Sequence, residues 1–356
     1  MANSSKALHY RKKLTPEAEK LFVLQRGLTG ARSLAGKAYM EDPALLKAYT
    51  DYYSEVTKAQ LRRIISLAGI KAESVLDMGC GPGALSMAFL EHGASKFCLL
   101  DASGAALALA KKSLKDYAGK NKLAIEVEAM EVDLEKPLKL PSGKFKLLAF
   151  AHVLNEIGQG QAQAAPKIRL RLATEAACAL APGGRLLVME PASLTASRDN
   201  IALRDSLLNA GWTVVAPCTT QEPCPALLAG LQHSCHDEAC WEMPPMVRQL
   251  SEQLGLDRGL VKMSWFLMAP PGAAVLQASH AGRYRIVSAP MLNKGGRVRY
   301  LLCGKEGRFS FSAKKDDKAA TAGGFFDLKR YDLISVSKPE PREGGWGFGQ
   351  NTEILL

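Results

Sequence analysis

Short apolar runs alternate with longer amphipathic segments between Ser74 and about Pro217. Apolar runs bounded by glycine, proline or acidic residues predict buried strands, whereas apolar residues three or four positions apart predict helices. The predicted strands are, in order, Val75–Asp77, Lys96–Asp101, Leu123–Glu128, Phe145–Ala151, Arg185–Glu190, Trp212–Ala216 and Lys262–Met268. Because strands and helices alternate, we predict an α/β fold with a parallel, doubly wound sheet. Its last two strands are expected to pair as neighbours.

The segment before the first strand has a helical pattern. Apolar residues recur every three or four positions over Ala31–Met40 and Asp42–Tyr49. The second of these helices should begin at Asp42-Pro43, because the acid can cap it and proline suits the first helical position. We interpret these helices as packing elements, with completion of a cofactor site as the alternative.

The pattern changes again after the seventh strand. Short alternating runs separated by turn signals at Asn293–Gly296 and Gly304–Gly307 predict a small β domain. The glycine-rich C-terminal end predicts an extended, poorly ordered tail. The predicted organisation is a helical region at 1–70, an α/β domain at 71–270 with an insertion at 217–261, a small basic β domain at 271–337 and a flexible tail at 338–356.

A glycine-rich turn follows the first predicted strand. Asp77, Gly79, Gly81 and Gly83 form the pattern Asp-x-Gly-x-Gly-x-Gly, and a helix is predicted from Ala84. Glycine allows positive φ values and a close approach of ligand to backbone, while a helix N-terminus offers unpaired N–H groups. The third glycine comes one residue earlier than in the dinucleotide fingerprint. The turn therefore predicts a nucleotide-type cofactor site of another kind.

Two more acids are expected at this site. Asp101 ends the second predicted strand about twenty residues after the glycines, where a carboxylate can accept both ribose hydroxyls. Its alternative role is to cap the next helix. The glycine motif resembles the first motif of the S-adenosylmethionine (SAM)-dependent methyltransferases. That resemblance implies a Rossmann-like methyltransferase sheet that binds SAM, with Asp133, just past the third strand, near the adenine amino group.

The end of the fourth predicted strand should face the same site, because open α/β sheets bind ligands at the carboxyl ends of their strands. The sequence there contains neither an Asn/Asp-Pro-Pro-aromatic motif nor a Pro-Cys pair. His152 and Glu156 are four residues apart and could share a helix face, as acid/base chemistry would require. Without a substrate-holding motif we interpret both as structural and assign no catalytic base.

Composition and charge narrow the class of protein. The 356 residues are 47% hydrophobic and 23% charged, and no run of about 18 apolar residues predicts a membrane span. The first residues lack the apolar core of a secretory signal, so we expect a cytoplasmic protein, with the mitochondrial matrix as the alternative.

The net charge is +11, and residues 283–330 contain twelve Lys or Arg against four Asp or Glu. This excess favours a polyphosphate partner, although a merely basic surface has equal weight.

The insertion concentrates cysteine and histidine. Cys218, Cys224, Cys235 and Cys240 lie within 23 residues, together with two histidines. Reduced thiols this close in a polar segment favour a metal site over core packing. Only Cys235 and Cys240 have a spacing typical of zinc, whereas iron–sulfur sites accept irregular spacings and a distant ligand, for which Cys303 is available. A zinc site and an iron–sulfur site therefore remain alternatives.

The combination of motifs resembles the methyltransferase-like ribosomal small-subunit assembly family of bacteria and mitochondria. The matching segments are Val75–Gly83, His152–Glu156, Ala216–Cys218, Pro223–Pro225, Cys235–His236, Trp241–Pro245 and Leu302–Gly304. The resemblance spans about residues 30 to 335. It implies a [4Fe–4S] cluster, with Cys218, Cys224, Cys235 and Cys303 at the ligand positions.

The sequence departs from the family pattern beside two of these cysteines. Thr219-Thr220 replaces the usual Pro-His, and Ser234 replaces a common Trp. Cys240 or His236 therefore stays open as an alternative ligand, and zinc stays open as an alternative metal.

The resemblance also implies binding to the small ribosomal subunit and its rRNA. The leading hypothesis is a methyltransferase-like protein of ribosome assembly or translation, monomeric when free, that methylates rRNA with SAM. The alternatives are a non-catalytic iron–sulfur assembly factor and a zinc-containing RNA methyltransferase of other specificity. A radical enzyme is disfavoured because the Cys-x₃-Cys-x₂-Cys loop of that class is absent.

Overall fold

The computed structural model describes residues 14–30, 34, 38–161, 163–274 and 282–356. Its α-helices are α1 Pro16–Gln25, α2 Ala38–Glu41, α3 Pro43–Tyr49, α4 Glu55–Ala68, α5 Ala84–Glu91, α6 Gly104–Asn121, α7 Ala165–Ala176, α8 Leu194–Asn209, α9 Pro225–Leu228, α10 Pro245–Leu254 and α11 Lys318–Ala322. Short π-helical turns at Arg26–Gly30 and Thr50–Ser54 follow α1 and α3. None of the helices in these ranges combines the length and apolar character needed to cross a bilayer.

The strands form two separate sheets. Those of the first are β1 Ser74–Met78, β2 Lys96–Asp101, β3 Glu126–Glu131, β4 Phe145–Ala151, β5 Leu180–Pro191, β6 Thr213–Ala216, β7 Asp237–Cys240 and β8 Leu260–Ala269. Those of the second are β9 Arg283–Ile286, β10 Met291–Leu292, β11 Arg297–Gly304, β12 Gly307–Lys314, β13 Leu333–Ser337, β14 Glu340–Arg342, β15 Gly345–Gly347 and β16 Glu353–Leu355.

The first sheet has the order β3-β2-β1-β4-β5-β8-β6, with β7 paired to β8. Strands β1 to β5 are parallel, as predicted, and β6 and β8 are neighbours, as predicted. Strand β8, however, runs antiparallel to both β5 and β6, so the sheet is mixed rather than wholly parallel. The predicted bounds of β2 and β4 are confirmed, whereas β3 begins three residues later than predicted.

Helices cover both faces of the first sheet. Val75 and Leu147 pack on one face, with α4, α5 and α6, whereas the next residues, Leu76 and Leu148, pack on the other with α7 and α8. Successive strand residues point to opposite faces, so a strand buried on both faces is a continuous apolar run. Because β1, β2 and β4 are parallel and packed on both faces, their carboxyl ends lie side by side at one end of the sheet.

The segments before β1 pack against the same unit. Ala18 and Leu21 of α1 contact α10, and Tyr39 and Met40 of α2 contact Ala106 of α6. The helix predicted to begin at Pro43 is confirmed, with the Asp42 carboxylate accepting from two backbone N–H groups of its first turn. Most of the helix predicted over 31–40 lies outside the described residues.

The second sheet has the order β14-β15-β12-β11-β9-β13-β16, with β10 paired to β11. Three aromatic side chains of its strands, Tyr284, Tyr300 and Phe311, are buried in its core. One expectation for this region is wrong. Residues 338–356, expected as a flexible tail, supply three strands, because β15 pairs with β12 and β16 pairs with β13.

Candidate functional site

A cavity of about 290 Å³ lies at the carboxyl ends of β1, β2 and β4, near the lower end of the size range of small-molecule sites. Five of the six predicted cofactor residues line it: Asp77, Gly79, Gly81, Asp101 and Asp133. The sixth, Gly83, is not part of the lining. The structure thus brings together acids at or near the carboxyl ends of three separate strands.

Asp77 lies at the bottom of this cavity and is 1% exposed. Its Oδ2 accepts hydrogen bonds from the hydroxyl of Ser86, at 2.7 Å, and from the Ser86 backbone N–H, at 3.2 Å. Its Oδ1 is buried and has no partner. Burial raises the pKa of Asp77 to about 7, because removing water disfavours the charged carboxylate.

Asp101 ties the glycine turn to the next helix. One carboxylate oxygen accepts from the N–H of Gly81 at 2.7 Å, and the other accepts from the N–H of Ser103 at 2.9 Å. Each oxygen keeps a second lone pair, so these bonds leave room for ligand hydroxyls. Burial raises the pKa of Asp101, and the two backbone bonds oppose the rise. The cap predicted as its alternative role is supplied by Ser103 instead, whose hydroxyl accepts from the N–H of Ala106 at 3.1 Å.

Two glycines of the turn occupy places where a side chain would collide. Gly79 has φ +75°, and a Cβ there would lie 2.3 Å from Cγ2 of Val153. Gly83 has φ +85° and lies against Ala110 of α6, with its Cβ position 2.9 Å from the Ala110 Cβ. Gly79 therefore brings the turn close to the end of β4, whereas Gly83 serves the packing of two helices.

Asp133 stands at the outer end of the cavity. Its Oδ1 accepts from the backbone N–H of Glu135 at 3.0 Å, and its Oδ2 lies 3.5 Å from Nζ of Lys136. Val132 and Leu134 on either side of it are buried and also line the cavity. An acid flanked by apolar side chains is suited to a flat heteroaromatic ring that carries an amino group.

The N-terminal helices complete the cavity, which was the alternative to the interpretation of these helices as packing elements. Tyr39, Met40, Tyr49 and Thr57 are part of its lining. The rings of Tyr39 and Tyr49 lie 5.9 Å apart, and burial raises the pKa of both hydroxyls. The available sequence signal was the clustering of tyrosines in this segment, which also fits an ordinary helical core.

His152 lies directly after β4 and lines the cavity in a left-handed conformation, with φ +61°. Its Nε2 is 2.7 Å from Oε1 of Gln60, and Nε2 of Gln60 in turn donates to the carbonyl of Lys262 at 2.8 Å. Burial lowers the pKa of His152 to about 4, so the ring is neutral near pH 7.

A second cavity, of about 50 Å³, lies between the insertion and the second sheet. The four predicted metal ligands, Cys218, Cys224, Cys235 and Cys303, all line it. All eight cysteines of the chain are free thiols. Burial raises the pKa of Cys224 to about 12, and burial also raises the pKa of Cys235 and Cys303, with the neighbouring thiols adding to each rise. These thiols are therefore close enough to affect one another's charge.

Two arginines line the same cavity. Arg204, 2% exposed, donates to the carbonyls of Thr220 and Glu222 at 2.9 Å each. Arg285 of β9 donates to the carbonyl of Pro217 at 3.0 Å. These bonds hold the loop that carries Cys218, and the two charges would offset those of thiolates.

The two alternative ligands lie elsewhere. Cys240 is exposed on β7, and neither it nor His236 is part of the cavity lining. Nε2 of His236 lies 3.2 Å from Nη1 of Arg330. Among the residues described, no group of three or more His, Cys, Asp or Glu side chains converges closely enough to hold a metal ion. The four thiols thus surround a space rather than one point.

One family model matches part of the first sheet. The sequence model of the methyltransferase domain matches residues 75–184, which is less than half of the chain. A search of curated proteins gave no match to the chain. The matched segment contains the glycine turn, Asp101, Asp133 and His152, and it ends before the cysteine-bearing insertion.

Several solved structures are similar at low sequence identity. A SAM-dependent methyltransferase of Leishmania major is 16% identical, with 71% of this chain and 91% of that one covered and a TM-score of 0.41. The ribosomal protein L11 methylase of Lactobacillus delbrueckii subsp. bulgaricus is 15% identical, with 60% and 78% covered and a TM-score of 0.35. A SAM-dependent methyltransferase of Thiobacillus denitrificans, in complex with S-adenosylhomocysteine, is 15% identical, with 59% and 90% covered and a TM-score of 0.36.

Proposed function

We propose that the protein binds SAM in the cavity at the carboxyl edge of the first sheet and acts as an rRNA methyltransferase of the small ribosomal subunit. One observation carries the SAM site: within the segment that the methyltransferase domain model matches, the glycine turn, Asp77, Asp101 and Asp133 line a single cavity. When bound, SAM supplies an activated methyl group on its sulfonium. The residues of this chain hold and orient it.

Each predicted residue has a distinct part in this proposal. Asp101 would accept the ribose hydroxyls on the lone pairs that Gly81 and Ser103 leave free. Asp133 would accept from the adenine amino group, with Val132 and Leu134 against the ring. The N–H groups at the start of α5 add a positive dipole end near the turn. The N-terminal helices exclude water from the other side.

Methyl transfer would depend mainly on position. A nucleophile held in line with the sulfonium and shielded from water gains most of its rate from orientation. No side chain in the cavity is assigned as a base, since the His152 ring is neutral near pH 7 and already bonded to Gln60. A base-free site suits an acceptor atom that is nucleophilic without losing a proton first.

We further propose that the four thiols hold a [4Fe–4S] cluster. In such a cluster each thiolate binds a different iron, so ligands spread around a cavity suit it better than they suit one zinc ion, whose ligands converge on one point. The buried Arg204 and the half-buried Arg285 would offset the charge of the thiolates. Cys303 belongs to β11 and the other three to the insertion, so binding would cross-link the two sheets.

The proposed partner is small-subunit rRNA. Alternate residues of a strand share a face, so Arg297 and Arg299 of β11 lie on the same face as Cys303. On the neighbouring strand β12, Lys314 is opposite Arg297 and Arg308 is opposite Cys303. This row of positive charges runs beside the cysteine cavity. The proposed compartment is the cytoplasm, or alternatively the mitochondrial matrix, with the free protein a monomer.

A second function has its own support. The absence of an assigned base in the described cavity favours an assembly factor that binds SAM and rRNA without transferring a methyl group. Transfer of radiolabelled methyl groups to isolated small-subunit RNA separates the two functions. Label that the wild type transfers and Asp77→Asn does not would support the enzyme. Binding of S-adenosylhomocysteine (SAH) without any transfer would support the factor, and absence of SAH binding would contradict both.

The cluster has a separate test. Protein purified without oxygen should contain about four iron and four acid-labile sulfide per chain. One zinc and no sulfide would replace the cluster with a zinc site and leave the SAM proposal untouched.

A further inference from the structure

Tyr331 lies shortly before β13 and connects the two sheets through its side chain. Its backbone belongs to the second sheet, because its N–H donates to the carbonyl of Ile286 at 2.7 Å. Its carbonyl accepts from Nη1 of Arg285, also at 2.7 Å. The ring, however, packs in the core of the first sheet, with its centroid 6.4 Å from that of Trp265 in β8. Tyr331 is 2% exposed, so the second sheet contributes a buried side chain to the first.

The hydroxyl of Tyr331 lies at the cysteine cavity. It is 3.6 Å from Sγ of Cys235, and both residues line the cavity. A buried tyrosine hydroxyl usually has a hydrogen-bond partner, and the Cys235 sulfur is the partner that this geometry supplies. Cys224 is held differently, through its backbone N–H, which donates to Oδ2 of Asp205 at 2.9 Å. The contact at Cys235 therefore acts on the sulfur itself.

The chemistry of sulfur indicates when the Tyr331–Cys235 hydrogen bond is strong. A neutral thiol is a weak acceptor, whereas a thiolate is negatively charged and forms a charge-assisted hydrogen bond. A thiolate has no proton, so in that state the Tyr331 hydroxyl must donate and the Cys235 sulfur must accept. Metal ligation also requires the thiolate. The contact is therefore better suited to Cys235 as a metal ligand than to Cys235 as a free thiol.

The backbone of Tyr331 has an unfavourable conformation. Its φ is +71°, in the left-handed region where a bulky side chain is rarely found. Such strain persists only where the surrounding structure restrains the residue, and it is concentrated at functional sites. Here the restraint comes from the two backbone hydrogen bonds to Arg285 and Ile286 of β9. The same bonds fix the direction in which the ring leaves the second sheet, and so they hold the hydroxyl beside the sulfur.

We propose that the Tyr331 hydroxyl donates a hydrogen bond to Sγ of Cys235 when this cysteine is a cluster ligand, and that it thereby raises the reduction potential of the cluster. Hydrogen bonds to the sulfurs help to set the potential of an iron–sulfur site. Reduction adds one electron and increases the negative charge, so a donor stabilises the reduced form more than the oxidised form. This inference rests on the proposed cluster and makes Tyr331 a positioning residue, not a ligand.

Tyr331→Phe tests the inference, because it keeps the ring and removes the donor. The full-length variant, purified without oxygen, should contain as much iron and sulfide as the wild type. Protein-film voltammetry, in which an electrode supplies the electron, would measure the potential. Loss of the donor should lower the equilibrium constant of one-electron reduction about threefold to thirtyfold, which is about 30–90 mV at about 59 mV per tenfold.

Tyr300→Phe is the matched control. Tyr300 is 1% exposed in the core of the second sheet and does not line the cysteine cavity. Its variant loses a tyrosine hydroxyl from the same sheet but no contact with Cys235, so its potential should equal that of the wild type. An equal decrease in both variants would mean that loosening of the second sheet, rather than the lost hydrogen bond, changes the potential.

A second variant makes the donor stronger instead of removing it. When 3-fluorotyrosine replaces Tyr331, the hydroxyl is more acidic and donates more strongly, so the potential should rise above that of the wild type. A side chain that only fills space would not produce opposite shifts in the two variants. The fluorinated variant also decides the question if Tyr331→Phe does not fold or does not retain iron.

Other results would overturn the inference in distinguishable ways. An unchanged potential in Tyr331→Phe would mean that the hydroxyl does not act on the cluster. With 3-fluorotyrosine, a potential equal to or below that of the wild type would have the same meaning. A wild type that contains zinc and no sulfide would overturn the cluster proposal itself, and the inference with it; the metal and sulfide contents separate this case from the other two.

Discussion

Nε of Arg63 in helix α4 lies 3.3 Å from Oδ2 of Asp237, the first residue of strand β7. The Asp237 side chain is fully buried, whereas that of Arg63 is 30% exposed. Asp237 comes two residues after Cys235, and the same helix carries Gln60, which bonds His152. One helix therefore contacts both the SAM cavity and the insertion that lines the cysteine cavity.

Arg63→Leu should destabilise the protein by about 1–3 kcal/mol, because it leaves a buried carboxylate without its cation. Urea unfolding of the cluster-free protein would measure the loss. Arg62→Leu is the matched control, since Arg62 pairs with Glu91 at the surface and its side chain is 47% exposed; its removal should cost less than about 1 kcal/mol. Equal losses in the two variants would mean that the Arg63–Asp237 pair stabilises the protein no more than a surface ion pair does.

Local patterns were sufficient for the buried strands. Strands β2 and β4 are apolar runs between clear breaks, and their bounds match the prediction. Strand β3 lies at the edge of the sheet and alternates glutamates with partly buried residues, so it contains no apolar run to mark its start. The prediction accordingly placed it too early.

Local sequence patterns could not predict the pairing of strands that are distant in sequence. The C-terminal segment is rich in glycine, which indicates disorder when composition alone is considered. In the fold, Trp346 of β15 packs against Tyr284 and Phe309, and β15 pairs with β12. These partners are distant in sequence, so no local pattern predicts them. The lining of the SAM cavity by the N-terminal helices was for the same reason only an alternative in the sequence analysis, because it depends on their packing against α6.

The predicted site residues fall into two groups: those that local spacing selects and those that depend on long-range pairing. Spacing alone was enough to select Asp77 and Asp101, because a strand, a tight turn and a helix fix their positions locally. The cysteines required the resemblance, since Cys303 reaches the cavity only through the pairing of β11 with β9 and β12. Nothing in the sequence indicated that Gln60 would hold His152.

Serine variants should distinguish the four cavity cysteines from the exposed ones by the iron content of the purified protein. Cys218→Ser, Cys224→Ser, Cys235→Ser and Cys303→Ser should each lower the iron content of anaerobically purified protein, because a serine hydroxyl is a far weaker ligand than a thiolate. Cys178 and Cys240 are exposed and lie outside the cavity, so their serine variants should retain wild-type iron. Loss of iron in Cys240→Ser would assign this cysteine to the site.

Glu190→Gln should change how stability depends on pH. Glu190 is 2% exposed and accepts from the Leu154 N–H at 2.9 Å and from Nδ2 of Asn155 at 2.6 Å. Burial raises its pKa to about 8, so the folded protein binds a proton that the unfolded chain releases at a lower pH. The resulting stabilisation is complete below the ordinary glutamate pKa and is lost as the pH rises through about 8.

Thermal unfolding at pH 6 and pH 9 would test this prediction. The wild type should lose about 1–3 kcal/mol more than Glu190→Gln over this interval, because only the wild type gives up the proton. Asp77, whose pKa is raised to about 7, titrates in both proteins and cancels in the comparison. Identical pH profiles would show that Glu190 is already ionised in the folded protein at pH 6.

The basic face of the second sheet predicts a salt-dependent affinity for small-subunit rRNA. Arg299, Lys314 and Lys315 are exposed on or beside β11 and β12, and the three have no acidic partner within ion-pair distance among the described residues. Each phosphate that the protein binds releases a counterion, so it steepens the fall of the logarithm of affinity with the logarithm of salt concentration. Because most aromatics of this sheet are buried in its core, charge rather than base stacking should dominate binding.

Changing these three residues to glutamine should therefore weaken rRNA binding at low salt and reduce the salt slope by about one for each phosphate that the variant no longer binds. Filter binding at several salt concentrations would measure both quantities. The matched control changes Lys115, Lys120 and Lys122, exposed lysines of α6 and its C-cap in the first sheet's unit, and removes the same net charge. If charge alone attracts RNA, the two triple variants will behave alike. A larger decrease of the slope in the β11–β12 variant would locate the phosphate-binding residues on these two strands and directly after β12.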